Sequence, residues 1–313
     1  MRVGILGYGN LGRALAHCIE NTPHTLVAVF SRRAIHEDKI PIVKREEIKS
    51  YEGSIDTILI ATSSHSEASA DARELLPLFN TVDSYDNHKM IPRHLRSLRA
   101  VAKASGKVAI TAAGWDPGIL SVARAMARVS LGAEGINTFW GAGKSLGHTS
   151  ALMSIEGVKY AVQYTVPKSE AIALAKNTDV CIPDTDRHWR ECFIVPEEGA
   201  DLDAIGRTVR NTEGYFKGYH TAIRYITEDE FFIKHKRDFH SAEVISTKIE
   251  DEKKTSFDLK IDIPSNARFT AKIMLSYLNA INSLQNSNNS GAYTPLDIPM
   301  SYLISDEEYG DLI

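Results

Sequence analysis

The chain has 313 residues, 43% of them hydrophobic, with 36 Lys and Arg against 40 Asp and Glu for a formal net charge of -4. That length exceeds the usual single domain, so two domains are expected, and the near balance of charge carries no signature of a nucleic-acid or membrane-surface partner. Cys18, Cys181 and Cys192 show no metal-ligand spacing, so reduced thiols and no metal site are expected. No basic segment leads into a long apolar run at the start, and no apolar stretch is long enough to cross a bilayer. The expectation is a soluble cytoplasmic protein.

The first strand, Val3 through Leu6, stops at Gly7-Tyr8-Gly9-Asn10-Leu11-Gly12, and apolar residues then recur at helical spacing to Ile19. Strand, glycine turn and helix in this order form a dinucleotide-binding unit. Gly7 makes the turn, Gly9 admits a pyrophosphate to the backbone, and Gly12 lets helix and strand pack closely while the helix N-terminus faces the anion. A second strand, His24 to Phe30, ends in Ser31-Arg32-Arg33. An NAD-binding protein usually presents a carboxylate to the adenosine ribose here, whereas two guanidiniums match a 2'-phosphate by charge and bidentate geometry. NADP is therefore the expected cofactor.

Thr57 to Ala61 makes a third strand, and Thr62-Ser63-Ser64 behind it are expected to line the cofactor crevice, since ligands bind outside the carboxyl ends of such strands. A helix from Glu67 to Leu76 leads to the strand Phe79 to Val82 and the polar cluster Asp83-Ser84-Tyr85-Asp86-Asn87-His88. A helix over Pro92 to Ala104 and a strand over Val108 to Thr111 then deliver Gly114-Trp115-Asp116-Pro117-Gly118. Asp86 and Asp116 should lie in the ligand crevice, although each is also a residue type that caps a following helix.

After a helix from Ile119 to Val129 the texture changes to alternating or short apolar runs, which predicts a mixed or antiparallel sheet. The expected strands are Ile136 to Trp140, Val158 to Val166, Arg190 to Val195, Tyr219 to Ile226, Ala242 to Lys248 and Ser256 to Ile263, with a short helix from Leu202 to about Arg210. The stretch from Thr138 to His148 is glycine-rich but lacks the first glycine of a P-loop. A backbone-lined substrate loop with Trp140 as a wall and a plain turn with a buried tryptophan carry equal weight. Residues 231 to 240, FFIKHKRDFH, read as a surface turn. Thr165, Arg190, His240 and Asn266 are polar residues beside apolar runs. An amphipathic helix from Ala267 to Leu284, capped by Ser265 or Asn266, is expected to return to the first domain.

Together GYGNLGR at 7 to 13, FSRRA at 30 to 34, VDSYDNHKMIPRH at 82 to 94, GWDPG at 114 to 118, FWGAGKSLGH at 139 to 148 and AVQYTVP at 161 to 167 resemble the meso-diaminopimelate dehydrogenase family, and the likeness extends to SGAYTPLDI at 290 to 298. The resemblance implies NADP-dependent, reversible oxidative deamination of the D-centre of meso-2,6-diaminoheptanedioate to L-2-amino-6-oxoheptanedioate and ammonium, in lysine biosynthesis, by a homodimer. It places Asp86 and Asp116 near the reacting centre, Trp115 and Trp140 around the substrate, and Thr165, Arg190, His240 and Asn266 at the distal amino-acid end. The chain departs from the family pattern at Ser241-Ala242-Glu243 and at Lys144 and Leu146, changes that bear on selectivity for that end. The expected architecture is α/β: a Rossmann-type parallel-sheet NADP-binding domain (1–118), an α+β substrate-binding and dimerisation domain (119–265), and a C-terminal helix and tail (266–313). The competing readings are an NADP-dependent dehydrogenase or reductase of another amino acid or aspartate-pathway intermediate, and a non-catalytic NADPH-binding sensor.

Overall fold

The structure is a computed structural model; it describes residues 1–63, 67–235 and 239–313, with the side chains of Leu146 and Asp306 left aside. The chain divides into two compact units, Met1–Val122 with Ala267–Ile313, and Ala123–Asn266.

The first unit opens with β1 (Arg2–Leu6), α1 (Asn10–Cys18), β2 (Thr25–Ser31), β3 (Ile42–Lys44), β4 (Thr57–Ile60), α2 (Ala68–Leu75), β5 (Asn80–Asp83), α3 (Ile91–Ser105) and β6 (Val108–Ile110). Its sheet has the order 3-2-1-4-5-6, extended at the β6 edge by β14 (Gly291–Tyr293), and each pairing is parallel. This is the doubly wound dinucleotide-binding order. Strands such as β4, Thr-Ile-Leu-Ile, are buried throughout, as a parallel sheet covered on both faces requires. Phe30, Ile58, Ile60, Leu75, Phe79 and Leu98 meet in one apolar cluster of this unit. Helix α3 has Pro92 in its first turn and stops at Gly106, whose φ of 69° is left-handed.

Helix α4 (Ile119–Leu131) contains the division between the units. The second unit continues with β7 (Ile136–Trp140), β8 (Gly143–Lys144), α5 (Leu146–Met153), β9 (Val158–Pro167), α6 (Ser169–Asn177), α7 (Asp184–Arg187), β10 (His188–Pro196), α8 (Leu202–Asn211), β11 (Thr221–Tyr225), α9 (Glu228–Lys234), β12 (His240–Glu250) and β13 (Lys253–Ile263). One sheet has the order β11-β10-β9-β8 and the other β13-β12-β7. Only β10 and β11 run parallel; the other pairings are antiparallel. An α+β unit is what the alternating apolar pattern leads to.

The chain returns through α10 (Asn266–Asn286), which buries ten side chains including Met274, Tyr277, Leu278 and Ile281, and β14 then joins the first unit's sheet; α11 (Asp306–Leu312) follows. Three local expectations are corrected. Residues 231–234 belong to helix α9, capped by Thr227, whose hydroxyl accepts from Glu230 N at 3.2 Å, so FFIK is not a turn. The glycine-rich stretch is neither a free loop nor a plain turn, because it holds β8 and the start of α5. Helix α10 begins at Asn266, which leaves Ser265 as its cap position. Among the described residues no helix is long and apolar enough to cross a membrane, no metal-ligand cluster is found, and the three cysteines are free thiols.

Candidate active site

The glycine turn follows β1 directly. Gly7 has a φ of 99°, and its N–H donates to Phe30 O at 2.9 Å, which ties the turn to β2. A Cβ on Gly12 would collide with the Gly7 carbonyl, so close packing of turn and helix demands glycine there. Gly9 differs: among the described residues, a Cβ there would meet nothing within 4 Å beyond its chain neighbours, and its backbone is in an ordinary extended conformation. The protein itself has no need of a glycine at position 9, whereas a pyrophosphate approaching the backbone does. No side chain caps α1, which leaves its first N–H groups available to an anion.

Tyr8 is buried, Asn10 exposed and Leu11 half-buried. At the end of β2 the buried Ser31 hydroxyl accepts from Arg33 N at 3.1 Å, which folds the strand end so that both arginines stay exposed. Arg33 Nη2 reaches to 3.5 Å from Tyr8 O, beside the glycine turn, and Arg32 pairs with Glu67 at 2.7 Å. Exposed guanidiniums next to the turn fit a 2'-phosphate. Thr62 is committed elsewhere, donating to Asp71 at 2.7 Å, while Ser63 is exposed; Ser64 lies outside the described residues.

The carboxyl ends of β5 and β6 are joined by Asp83, a buried residue that sequence reasoning passed over. Its Oδ1 accepts from Thr111 Oγ1 at 2.7 Å, Tyr85 N at 3.0 Å and Ala112 N at 3.3 Å. His94 Nε2 stands 3.4 Å from Oδ2, and its Nδ1 bonds Ser69 at 2.9 Å. One carboxylate thus fixes both the segment carrying Asp86 and that carrying Trp115 and Asp116. Asp86 is exposed, Asp116 half-buried and Trp115 buried. Helices α3 and α4 begin at Ile91 and Ile119, so neither aspartate occupies a cap position and the capping alternative is set aside.

In the second unit the register of β9 and β10 places Thr165 opposite Arg190, and Arg190 Nη1 donates to Thr165 Oγ1 at 2.6 Å. Both residues are buried, and the Arg190 guanidinium lies 4.1 Å from the Tyr219 ring centroid. Burial lowers the Arg190 pKa, and its Nε has no hydrogen-bond partner among the described residues. A guanidinium so placed calls for an anionic acceptor. Strand β8 pairs Gly143 with Thr165, and a Cβ on Gly143 would lie 2.6 Å from the His240 ring, so the glycine lets the backbone run against that histidine. His240 Nδ1 donates to Ser241 O at 2.9 Å.

Two further histidines define the surroundings. His148, held by Ser145 at 2.7 Å, is pushed down to about 3 by burial and by Arg190, and so is neutral at neutral pH. His188 is likewise held at about 3 by burial and then by Arg190, which leaves Nε2 free to accept from Trp140 N at 2.9 Å while the two rings stack 5.3 Å apart. Trp140, Thr165, Arg190 and His240 are thereby linked within the second unit. Asn266 stands half-buried at the start of α10. His148, His188, Gln163 and Tyr219 surround these residues but were not read as candidates; their contacts with Arg190, Trp140 and Thr165 single them out rather than any local pattern.

Residues 114–265 match the family described as "Diaminopimelic acid dehydrogenase C-terminal domain". The meso-diaminopimelate D-dehydrogenase of Ureibacillus thermosphaericus is 36% identical over 310 residues, covering 97% of this chain and 95% of that one. Among solved structures, the C. glutamicum DAP dehydrogenase in complex with DAP superposes with a TM-score of 0.94 at 34% identity, covering 100% and 98% of the two chains. An engineered D-amino acid dehydrogenase bound to NADP+ gives 0.91 at 33% identity with the same coverage. At these identities over essentially the full length of both partners, the chain belongs to the meso-diaminopimelate D-dehydrogenase family.

Proposed function

We propose that the chain catalyses NADP-dependent, reversible oxidative deamination at the D-centre of meso-2,6-diaminoheptanedioate. The products are L-2-amino-6-oxoheptanedioate and ammonium, which places the reaction in lysine biosynthesis. The observation that carries this reading is the buried Arg190–Thr165 pair, an anion receptor in the unit that matches the family's C-terminal domain. Bound NADP supplies the carbon that accepts the hydride.

The residues of the chain have three tasks. The turn from Gly7 to Gly12 with Ser31, Arg32 and Arg33 holds the dinucleotide, and Thr62 and Ser63 border it. Asp86 and Asp116 serve the reacting end: the substrate ammonium must lose a proton before the Cα–H departs as hydride, and a nearby carboxylate takes that proton directly or through water. The resulting imine adds water, the C–N bond breaks, and ammonium leaves. Arg190, Thr165, His240 and Asn266 hold the distal carboxylate and amine, with Trp115 and Trp140 flanking the carbon chain. The same reading makes the chain a cytoplasmic homodimer, and the exposed Met126 and Val129 on α4 supply apolar surface of the kind that self-association covers.

The test is NADPH formation from meso-diaminopimelate, with the LL isomer as control and NAD as alternative acceptor. Turnover of the meso isomer with NADP, and none of the LL isomer, is expected. NADP binding without meso turnover would point to the sensor instead.

A further inference from the structure

Thr165 Oγ1 accepts from Arg190 Nη1 at 2.6 Å and also from Gln163 Nε2 at 3.3 Å. A hydroxyl has two lone pairs and one proton, and here both lone pairs are engaged. No described residue accepts the proton, which must therefore point where neither strand neighbour stands. Gln163 presents Nε2 to the hydroxyl, while its own Oε1 is buried with no hydrogen-bond partner among the described residues. It is fully buried, and its backbone is clamped on both sides: its N–H donates to Thr149 Oγ1 at 3.1 Å and its carbonyl accepts from Ser145 N at 3.0 Å. The neighbouring His148 is a neutral ring held by Ser145, so that ring adds no charge beside the Arg190 guanidinium.

We propose that Gln163 is a positioning residue that turns Thr165 into a one-directional proton donor, so that Thr165 and Arg190 together select a carboxylate at the distal end of the substrate. A rotatable hydroxyl would serve a donor or an acceptor equally well. One whose lone pairs are filled serves only an acceptor, and the adjacent guanidinium favours a charged one. The proposal rests on the assignment of Arg190 and Thr165 to the distal carboxylate.

D-lysine is the discriminating probe, because it retains the reacting centre and distal amine of meso-diaminopimelate but lacks the distal carboxylate. The measurements are kcat and KM for meso-diaminopimelate and the inhibition constant of D-lysine, for the wild-type chain, Gln163→Leu, the nearly isosteric Gln163→Met, Thr165→Val and the double variant Gln163→Leu/Thr165→Val. Both Gln163 variants are expected to raise KM for meso-diaminopimelate about tenfold, the scale of a hydrogen bond to a charged group. Both should leave kcat and the D-lysine constant within about twofold. Thr165→Val should act in the same direction, and adding Gln163→Leu to it should change nothing further.

If Thr165→Val raises KM selectively while both Gln163 variants leave it unchanged, lower it, or weaken both ligands alike, the proposal fails and the Arg190–Thr165 assignment survives. An unchanged KM in Thr165→Val would instead remove that assignment. Melting temperatures report whether each variant folds, and Gln163→Met keeps the test open if the leucine variant does not.

Discussion

At the end of β5 a single buried carboxylate, Asp83, gathers donors from Tyr85, Thr111 and Ala112, and with them the two segments that present Asp86 and Asp116. Asp83 is buried among these donors, and Asp86 is exposed, in keeping with the proton-accepting role proposed for it. Asp86→Asn keeps the shape and removes the basic function. It is expected to lower kcat/KM by about 100-fold or more, the low end of general-base effects, and to flatten the rise of kcat/KM with pH. A kcat/KM unchanged at every pH would remove Asp86 from the chemistry. The aspartates were legible in the sequence because their place after a parallel strand marks the ligand end of the sheet. Asp83 and His94 were not, because each is tied to partners 11 to 28 residues away (His94 and Thr111 for Asp83), and the opposition of Arg190 and Thr165 is set by cross-strand register; no local pattern encodes either.

Among the elements, the β1–turn–α1 unit separates two reasons for glycine. At Gly12 the neighbour is the backbone of Gly7, so Gly12→Ala should destabilise the fold by about 1–3 kcal/mol, the usual range for overpacking. At Gly9 the protein offers no clash, so Gly9→Ala should leave the melting temperature within about 2 °C while weakening NADP binding about tenfold or more. Thermal melts and NADP titration check both, and a Gly9→Ala protein that binds NADP like the wild type would contradict the turn's role. Most strands of both units read well from the sequence, Ile136 to Trp140 to the residue, because apolar runs bounded by turn residues are a strong local signal, whereas the three-residue β3 and β14 were not anticipated. Among the second unit's helices α8 read well, Leu202 to about Arg210 against Leu202–Asn211, but α5, α6, α7 and α9 were not anticipated. The capping pattern Thr227-Glu228-Asp229-Glu230 was overshadowed by the aromatic and basic residues behind it, and α6 carries its buried Ala171 and Ala175 in a short, weakly patterned run. β8 is two residues long, held in place by pairing with Thr165 and Tyr164.

Across the whole chain, a parallel sheet is finished by a strand from the far end of the sequence, with an α+β unit inserted before it: nucleotide binding belongs to the first, and the proposed anion recognition to the second. The composition left this division open. The glycine turn identified the first unit, and the ordered set of strand-end segments identified the family. The central claim is that the D-centre alone reacts. Its most direct test is oxidation of meso-diaminopimelate carrying deuterium at the Cα of one centre only. Label at the D-centre should be lost from the amino acid product, recovered in NADPH and accompanied by a slowed hydride step, while label at the L-centre is retained in full. Loss of label from the L-centre, or retention at the D-centre, would contradict it.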